Sequence, residues 1–183
     1  PDKGAELISP HSFSRHKPHR TSTLAINLTL RSPKREDYDA WHRLWDGYNA
    51  FYKRIGALAI SEEMTRLTWD RFFDGYEPIH AIVAEAEDGR LVGLVHYVFH
   101  RHSVMRGPIC YLHDLFTDPE VRGQGVGKAL IEEVYERARE AGSPRVYWHT
   151  HETNATAMRL YDQVATHSGF VCYRKELSST PSE

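Results

Sequence analysis

Short segments in which apolar residues alternate with polar ones, or run on without interruption, predict six β-strands. They span residues 24–32, 79–87, 91–100, 109–117, 145–151 and 169–177. The second and third flank Asp88-Gly89, a dipeptide typical of a tight hairpin turn. We therefore expect a β-hairpin in the middle of the chain.

Four other segments repeat their apolar residues every three or four positions, which predicts amphipathic helices. They are residues 34–55, 61–73, 126–141 and 155–167. Ser32-Pro33 is typical of a helix start, and Gly142 of a helix end. The resulting order, β-α-α-β-β-β-α-β-α-β, predicts a mixed α/β fold with helices covering a mixed sheet.

Composition adds limits to this picture. Of the 183 residues, 40% are hydrophobic and 26% are charged, as in ordinary globular proteins. The net charge of −2 gives no reason to expect nucleic acid or an anionic membrane as a partner. No apolar run approaches the ~20 residues that span a bilayer, and no secretory signal is recognisable. The two cysteines, Cys110 and Cys172, suggest free thiols, so we expect a cytoplasmic protein.

The N-terminal segment, residues 1–22, differs from the rest of the chain. It is basic, rich in histidine and without clear periodicity, which predicts a flexible arm. Such an arm is either merely mobile or docks on a partner subunit or a polyanion. We expect residues 23–178 to form one domain and residues 179–183 to form a short tail.

The stretch VRGQGVGKAL, residues 121–130, places three glycines where the third helix begins. Glycine allows a ligand to approach the backbone closely, and the first N–H groups of a helix have no partner within it. Together with the positive end of the helix dipole they form an anion site, and Arg122 and Lys128 add positive charge. A phosphate or pyrophosphate is the expected ligand. The stretch is neither a Walker loop nor a dinucleotide-binding fingerprint.

Arg122-Gly123-Gln124-Gly125-Val126-Gly127 resembles the Gln/Arg-x-x-Gly-x-Gly/Ala motif of the GNAT superfamily of N-acetyltransferases. YLHDLF before it and NATAMRLYDQVATHSGF after it strengthen the resemblance. WHRLWDGYNAFY and LVGLVHYVFHR are similar to the histone and polyamine acetyltransferase branch. The resemblance covers about residues 24–176. It implies a central, mostly antiparallel mixed sheet flanked by helices, with acetyl-CoA as cosubstrate.

The resemblance also implies a set of cofactor-binding residues. Backbone groups where the fourth and fifth strands separate would stabilise the oxyanion, and the glycine loop would hold the pyrophosphate. The matching residues are Leu115, Phe116, Thr117, Arg122, Gly123, Gln124, Gly125, Val126, Gly127, Lys128 and Asn154. For Asn154 an ordinary helix N-cap is the alternative interpretation.

Two residues are catalytic candidates on the same grounds. Tyr161 matches the tyrosine that protonates the departing thiolate, although periodicity alone is equally typical of a core tyrosine. His113 stands where polyamine-type relatives have glutamate. A neutral imidazole accepts a proton directly or through water, but it attracts a cationic substrate weakly. The alternative for His113 is a hydrogen-bonded histidine that lines a crevice. Asp114 would lie on the opposite strand face, holding a substrate ammonium or pairing within the fold.

These residues predict acetyl transfer to a primary amine by direct attack in a ternary complex. The acceptor is left open between a small polyamine-like amine, an amino acid and an exposed protein amino group. The alternative is a non-catalytic acyl-CoA-binding module. Histidine pairs at 100/102 and 149/151 lack a third ligand, so we expect no metal. The final strand resembles those that pair between subunits, which predicts a homodimer.

Overall fold

A computed structural model describes residues 26–177, and its centre is one five-stranded sheet in the order β1-β2-β3-β4-β5. The strands are β1 (Leu28–Arg31), β2 (Ile79–Ala86), β3 (Leu91–His100), β4 (Ile109–Thr117) and β5 (Val146–Tyr147). Consecutive strands pair antiparallel from β1 to β4, and β5 joins β4 in parallel. The mixed, mostly antiparallel sheet predicted from the sequence is confirmed.

Four α-helices flank the sheet. They are α1 (Tyr38–Phe51), α2 (Glu62–Arg71), α3 (Val126–Glu140) and α4 (Ala155–Val164). A 3-10 turn at Arg35–Asp37 precedes α1. The hydroxyl of Ser61 accepts a hydrogen bond from the Met64 N–H, 3.2 Å away, so α2 begins where the sequence predicts.

Apolar side chains fill both faces of the sheet because successive residues of a strand point to opposite sides. On one face, Leu130 and Val134 of α3 are fully buried against Ile82. On the other face, the aromatic residues of α1 and α2, with Trp41 fully buried, pack on Leu94. The two clusters hold α1 and α3 rigidly against β3 and β4, which carry the functional site.

The first helix departs from its prediction at both ends. Ser32-Pro33 does not start it, since the helical turn begins at Arg35 and the Asp37 carboxylate accepts from the Lys34 N–H. The helix ends at Phe51, not at residue 55, because Lys53 takes a left-handed conformation with φ of 59°. That change of direction returns the chain toward the last turn of α1.

The last predicted strand is wrong. Residues 169–177 form no strand, and their apolar side chains are exposed, with Phe170 at 89% and Tyr173 at 92%. β5 is also shorter than predicted, at two residues. An alternating pattern becomes a strand only where a neighbouring edge satisfies its backbone groups, and the short β5 offers little edge.

The predicted arm at 1–22 and tail at 179–183 lie outside the described residues. Within residues 26–177, none of the helices combines the length and the apolar character that crossing a bilayer requires.

Candidate active site

A cleft opens where β4 and β5 separate. Their pairing is limited to Cys110 with Val146 and Tyr111 with Tyr147. Along the other edge of β4, His96 pairs with Asp114 and Tyr97 with Leu112, so His113 is the extra residue of a β-bulge. Bulges redirect side chains and are common beside active sites. The predicted oxyanion segment, residues 115–117, is the part of β4 that runs beyond the bulge to the end of the strand.

The glycine loop leads directly into α3. Gly123 and Gly125 have φ values of 79° and 90°, a conformation that residues with a Cβ rarely adopt. Within residues 26–177, a Cβ added at either position would meet no atom within 4 Å other than those of its chain neighbours, so the space in front of the loop is open. No side chain of these described residues caps the N-terminus of α3. The N–H groups of its first turn therefore face this space without an intrahelical partner, as an anion site requires.

Two cations border this loop. The Arg122 Nε donates to the Thr117 carbonyl, 3.3 Å away, and its guanidinium lies 5.7 Å from the centre of the Phe116 ring. The Lys128 ammonium lies 3.7 Å from the Glu132 carboxylate and is half-exposed. Arg122 thus joins the end of β4 to the loop, and within residues 26–177 it has no carboxylate partner. This charge distribution suits a phosphate group.

Tyr161 lies on α4, where its ring packs edge-on against Trp148 at 5.3 Å. It lines a cavity of about 660 Å³ beside β5, together with His149 and Met158. Burial raises the pKa of Tyr161 to about 12, and the nearby Tyr52 adds to the rise. The phenol therefore keeps its proton at neutral pH and serves as a hydrogen-bond donor.

Asn154 caps α4, and its side chain accepts from the Ala157 N–H at 3.4 Å. Its amide also donates to the Thr150 hydroxyl at 3.4 Å. The ordinary N-cap interpretation of Asn154 thus describes its contacts within the protein. Its predicted contact with the cofactor stays a prediction.

His113 points away from the core, and its side chain is 52% exposed. Its Nδ1 atom lies 3.5 Å from the Asp114 Oδ2 atom, and its ring lies 5.5 Å from that of Tyr111. The Tyr111 hydroxyl is 3.3 Å from the His149 Nδ1 atom. His149 also lines the cavity at Tyr161, so contacts through Tyr111 and His149 connect His113 to that cavity.

Asp114 is buried and belongs to a polar network inside the sheet. Its Oδ2 atom lies 3.0 Å from the His96 Nδ1 atom, and the His96 Nε2 atom accepts from the Trp41 indole N–H at 3.0 Å. Burial favours the neutral carboxyl, but the hydrogen bond from His96, the nearby His113 and the Tyr48 hydroxyl outweigh it and lower the pKa of Asp114. Asp114 therefore carries a negative charge directly behind His113.

The sequence indicates Asp114 as a candidate residue, but it does not indicate the side chains that hydrogen-bond to it. His96 stands in an apolar strand, LVGLVHYVFH, where a polar residue is itself a signal. Its partners are remote in sequence, and only the packing of α1 on the sheet brings Trp41 to it. The predicted histidine pairs show other contacts, with His100 Nε2 at 3.0 Å from the Tyr147 hydroxyl. In the described part of the chain, no group of three or more potential ligands is placed to hold a metal ion.

The sequence model of the acetyltransferase (GNAT) family matches residues 39–165. The chain belongs to the GNAT family. It is an acetyltransferase, and the family uses acetyl-CoA.

Two characterised relatives agree with this assignment over most of their length. The D-amino-acid N-acetyltransferase HPA3 of Saccharomyces cerevisiae is 34% identical over 164 residues, covering 89% of this chain and 98% of that protein. The thialysine N-epsilon-acetyltransferase of Bos taurus is 31% identical over 162 residues, covering 81% of this chain and 92% of that protein.

Solved structures show the same fold at lower identity. A probable acetyltransferase has a TM-score of 0.71 at 20% identity, covering 85% of this chain and 100% of its own. The aminoglycoside N-acetyltransferase AAC(6')-Iy, in complex with CoA, has a TM-score of 0.69 at 16% identity, covering 82% of this chain and 95% of its own.

Proposed function

We propose that this GNAT protein transfers the acetyl group of acetyl-CoA to a primary amine by direct attack in a ternary complex. One observation carries the proposal. An open glycine loop and the start of α3 follow the strand that bears His113, and contacts through Tyr111 and His149 lead from His113 to the cavity that Tyr161 lines. A phosphate site, a base and a hydrogen-bond donor are the parts that this reaction needs.

The cofactor would be held mainly by backbone. The N–H groups from Gly123 to Lys128 would bind the pyrophosphate, with Arg122 adding charge. The open φ > 0 positions fit this role because a side chain at Gly125 would be strained and would enter the phosphate space. Leu115–Thr117 and Asn154 would contact the remainder of the cofactor.

His113 removes a proton from the acceptor amine, and Asp114 stabilises the imidazolium that forms. Backbone N–H groups of Leu115–Thr117 stabilise the negative charge that develops on the acetyl oxygen. Tyr161 donates to the departing thiolate. With a pKa of about 12 it acts as a hydrogen-bond donor first and transfers its proton only as the sulfur charge develops.

Release of CoA thiol from acetyl-CoA across a panel of amines tests this proposal. We expect amine-dependent release in the wild type, and a fall in kcat of about 10²–10⁴-fold in Tyr161→Phe with unchanged CoA affinity. Tyr135→Phe is the matched control, because its hydroxyl donates to the Val164 carbonyl away from the cleft. CoA binding without release for any amine would favour the acyl-CoA-binding module instead.

The acceptor class has support from the relatives, because HPA3 is named as a D-amino-acid N-acetyltransferase. A polyamine is a weaker candidate, since His113 replaces the glutamate that would attract a polycation.

We further propose that the protein is a homodimer of the reducing cytoplasm. The apolar side chains of residues 169–177 are exposed, so a second copy has apolar surface to pack against, and this segment would gain the strand partner that it lacks within residues 26–177. Cys110 and Cys172 are both free thiols, which suits a reducing compartment. Light scattering that gives a mass near the 21.1 kDa of one chain would contradict the dimer.

A further inference from the structure

The segment after α1 holds the Arg54 side chain in place through Asn49. Asn49 is buried, donates to the Trp45 carbonyl at 3.0 Å and accepts from the Arg54 Nη1 atom at 3.2 Å. The Arg54 N–H also bonds the Asn49 carbonyl at 2.9 Å. Both contacts depend on Lys53, whose left-handed backbone turns the chain back on the helix. A non-glycine residue in that conformation costs about 1–2 kcal/mol, so the surrounding contacts must maintain it.

Arg54 is held in place by Asn49, but no carboxylate of residues 26–177 balances its charge. Its guanidinium lies over two aromatic rings, 5.4 Å from the centre of Tyr52 and 5.9 Å from that of Tyr48. No carboxylate in residues 26–177 lies within ion-pair distance of it, whereas Arg43 contacts Asp118 at 2.8 Å. A guanidinium has five N–H donors in a planar fork, and Asn49 accepts from only one nitrogen. The other donors are available for an anion.

The rings under Arg54 border the proposed reaction site. The Tyr48 hydroxyl lies against Asp114, the carboxylate behind His113. Tyr52 lies in ring contact with Tyr48 at 5.0 Å and is near enough to Tyr161 to affect its phenol. Arg54 therefore lies on the α1 side of the acceptor site, while Arg122 lies at the glycine loop.

We propose that Arg54 binds a carboxylate of the acceptor, so that the substrate is an amine that carries a carboxylate, such as an amino acid. This inference rests on the proposed acetyl transfer. Planar bidentate contact is the mode in which arginine recognises carboxylates, and its stacking on Tyr52 and Tyr48 orients the fork. The buried Asp114 lies behind His113, so its negative charge favours the ammonium end of such a substrate without touching it. The site thus offers Arg54 for the carboxylate and a negative potential for the ammonium.

The test compares acetyl transfer to amino acids and to their carboxamides, in both stereochemical series. In the wild type we expect kcat/KM to favour the acid by about 10–100-fold, as charge-assisted hydrogen bonds predict. Arg54→Gln should remove that preference through KM, with kcat for the amide unchanged. Arg54→Lys should restore part of it. The change in ratio between wild type and variant cancels the different basicity of the two amines.

Arg159→Gln is the matched control, because Arg159 is an exposed cation on α4 whose side chain, among the described residues, hydrogen-bonds to Thr156 alone. An unchanged acid-to-amide ratio in Arg54→Gln overturns the inference, and so does an equal loss for both acceptors. In either case transfer itself still occurs, and the proposed function stands. Failure of every amine to release CoA thiol overturns the proposed function and this inference together.

Discussion

Two histidines lie against the same oxygen of Asp114, His96 from the neighbouring strand β3 and His113 from β4 itself. The Nδ1 atom of His96 lies 3.0 Å from Asp114 Oδ2, and that of His113 lies 3.5 Å away. The His96 side chain is 0% exposed, whereas that of His113 is 52% exposed. The same carboxylate therefore contacts one fully buried imidazole and one imidazole that a substrate can reach.

The second ring nitrogen distinguishes their roles. His96 Nε2 accepts from the Trp41 indole N–H, so the proton of the neutral ring lies on Nδ1 and is donated to Asp114. Both nitrogens of His96 are thus engaged, and protonating the ring would break the contact with Trp41. Within residues 26–177, the Nε2 atom of His113 has no hydrogen-bond partner, and its side chain is half-exposed. His96 holds the Asp114 carboxylate in place, and Asp114 in turn acts on His113. Because the two histidines share this partner, it is burial that makes His96 structural and leaves His113 available for the proposed catalysis.

The largest effect is expected from His113→Gln. Loss of a general base typically lowers kcat/KM by about 10²–10⁴-fold. Steady-state kinetics with one acceptor amine at saturating acetyl-CoA measures this.

The folded state offers a control for that variant. Because His113 is exposed, its replacement should change the free energy of unfolding by less than about 0.5 kcal/mol. An unchanged kcat/KM in the variant would mean that water or another group deprotonates the amine, and then His113 and His96 would not differ in a catalytic role.

In the second prediction, a substitution at His96 lowers stability more than catalysis, the reverse of His113→Gln. His96→Leu leaves the buried Asp114 carboxylate and the Trp41 N–H without their partner. Each unsatisfied buried group costs about 1–3 kcal/mol, so we expect a loss of about 3 kcal/mol in urea unfolding. Activity per folded molecule should fall by less than that of His113→Gln. A variant as stable as the wild type would show that the buried network contributes little to the fold.

The sequence predicted the features that depend on local pattern. Alternation and helical spacing predicted β1 to β4 and the four helices, which the structure contains. The glycines at the start of α3 predicted an anion site, which stays a prediction. Features that depend on tertiary neighbours could not be predicted from the sequence. Residues 169–177 have the alternating pattern of a strand but no neighbouring strand in the described part of the chain. The proposed Arg54 site depends on the left-handed conformation of Lys53, and no glycine in the sequence indicates that conformation.

The smallest expected effect is in the pH dependence of stability, measured by urea unfolding of wild type and Asp114→Asn. Burial opposes ionisation of Asp114, but His96, His113 and Tyr48 together lower its pKa below the ordinary value of 3.8. A carboxyl whose pKa is depressed on folding stabilises the protein above its unfolded pKa, and that contribution disappears as pH falls through the folded pKa. The wild type should therefore exceed the variant by about 1.5–3 kcal/mol near pH 7, as for a hydrogen bond to a charged group. The two stabilities should converge below pH 3.8, where the protonated carboxyl resembles the amide. A difference that stays constant or widens in acid would mean that Asp114 is neutral in the folded protein, and then it cannot hold a charge behind His113.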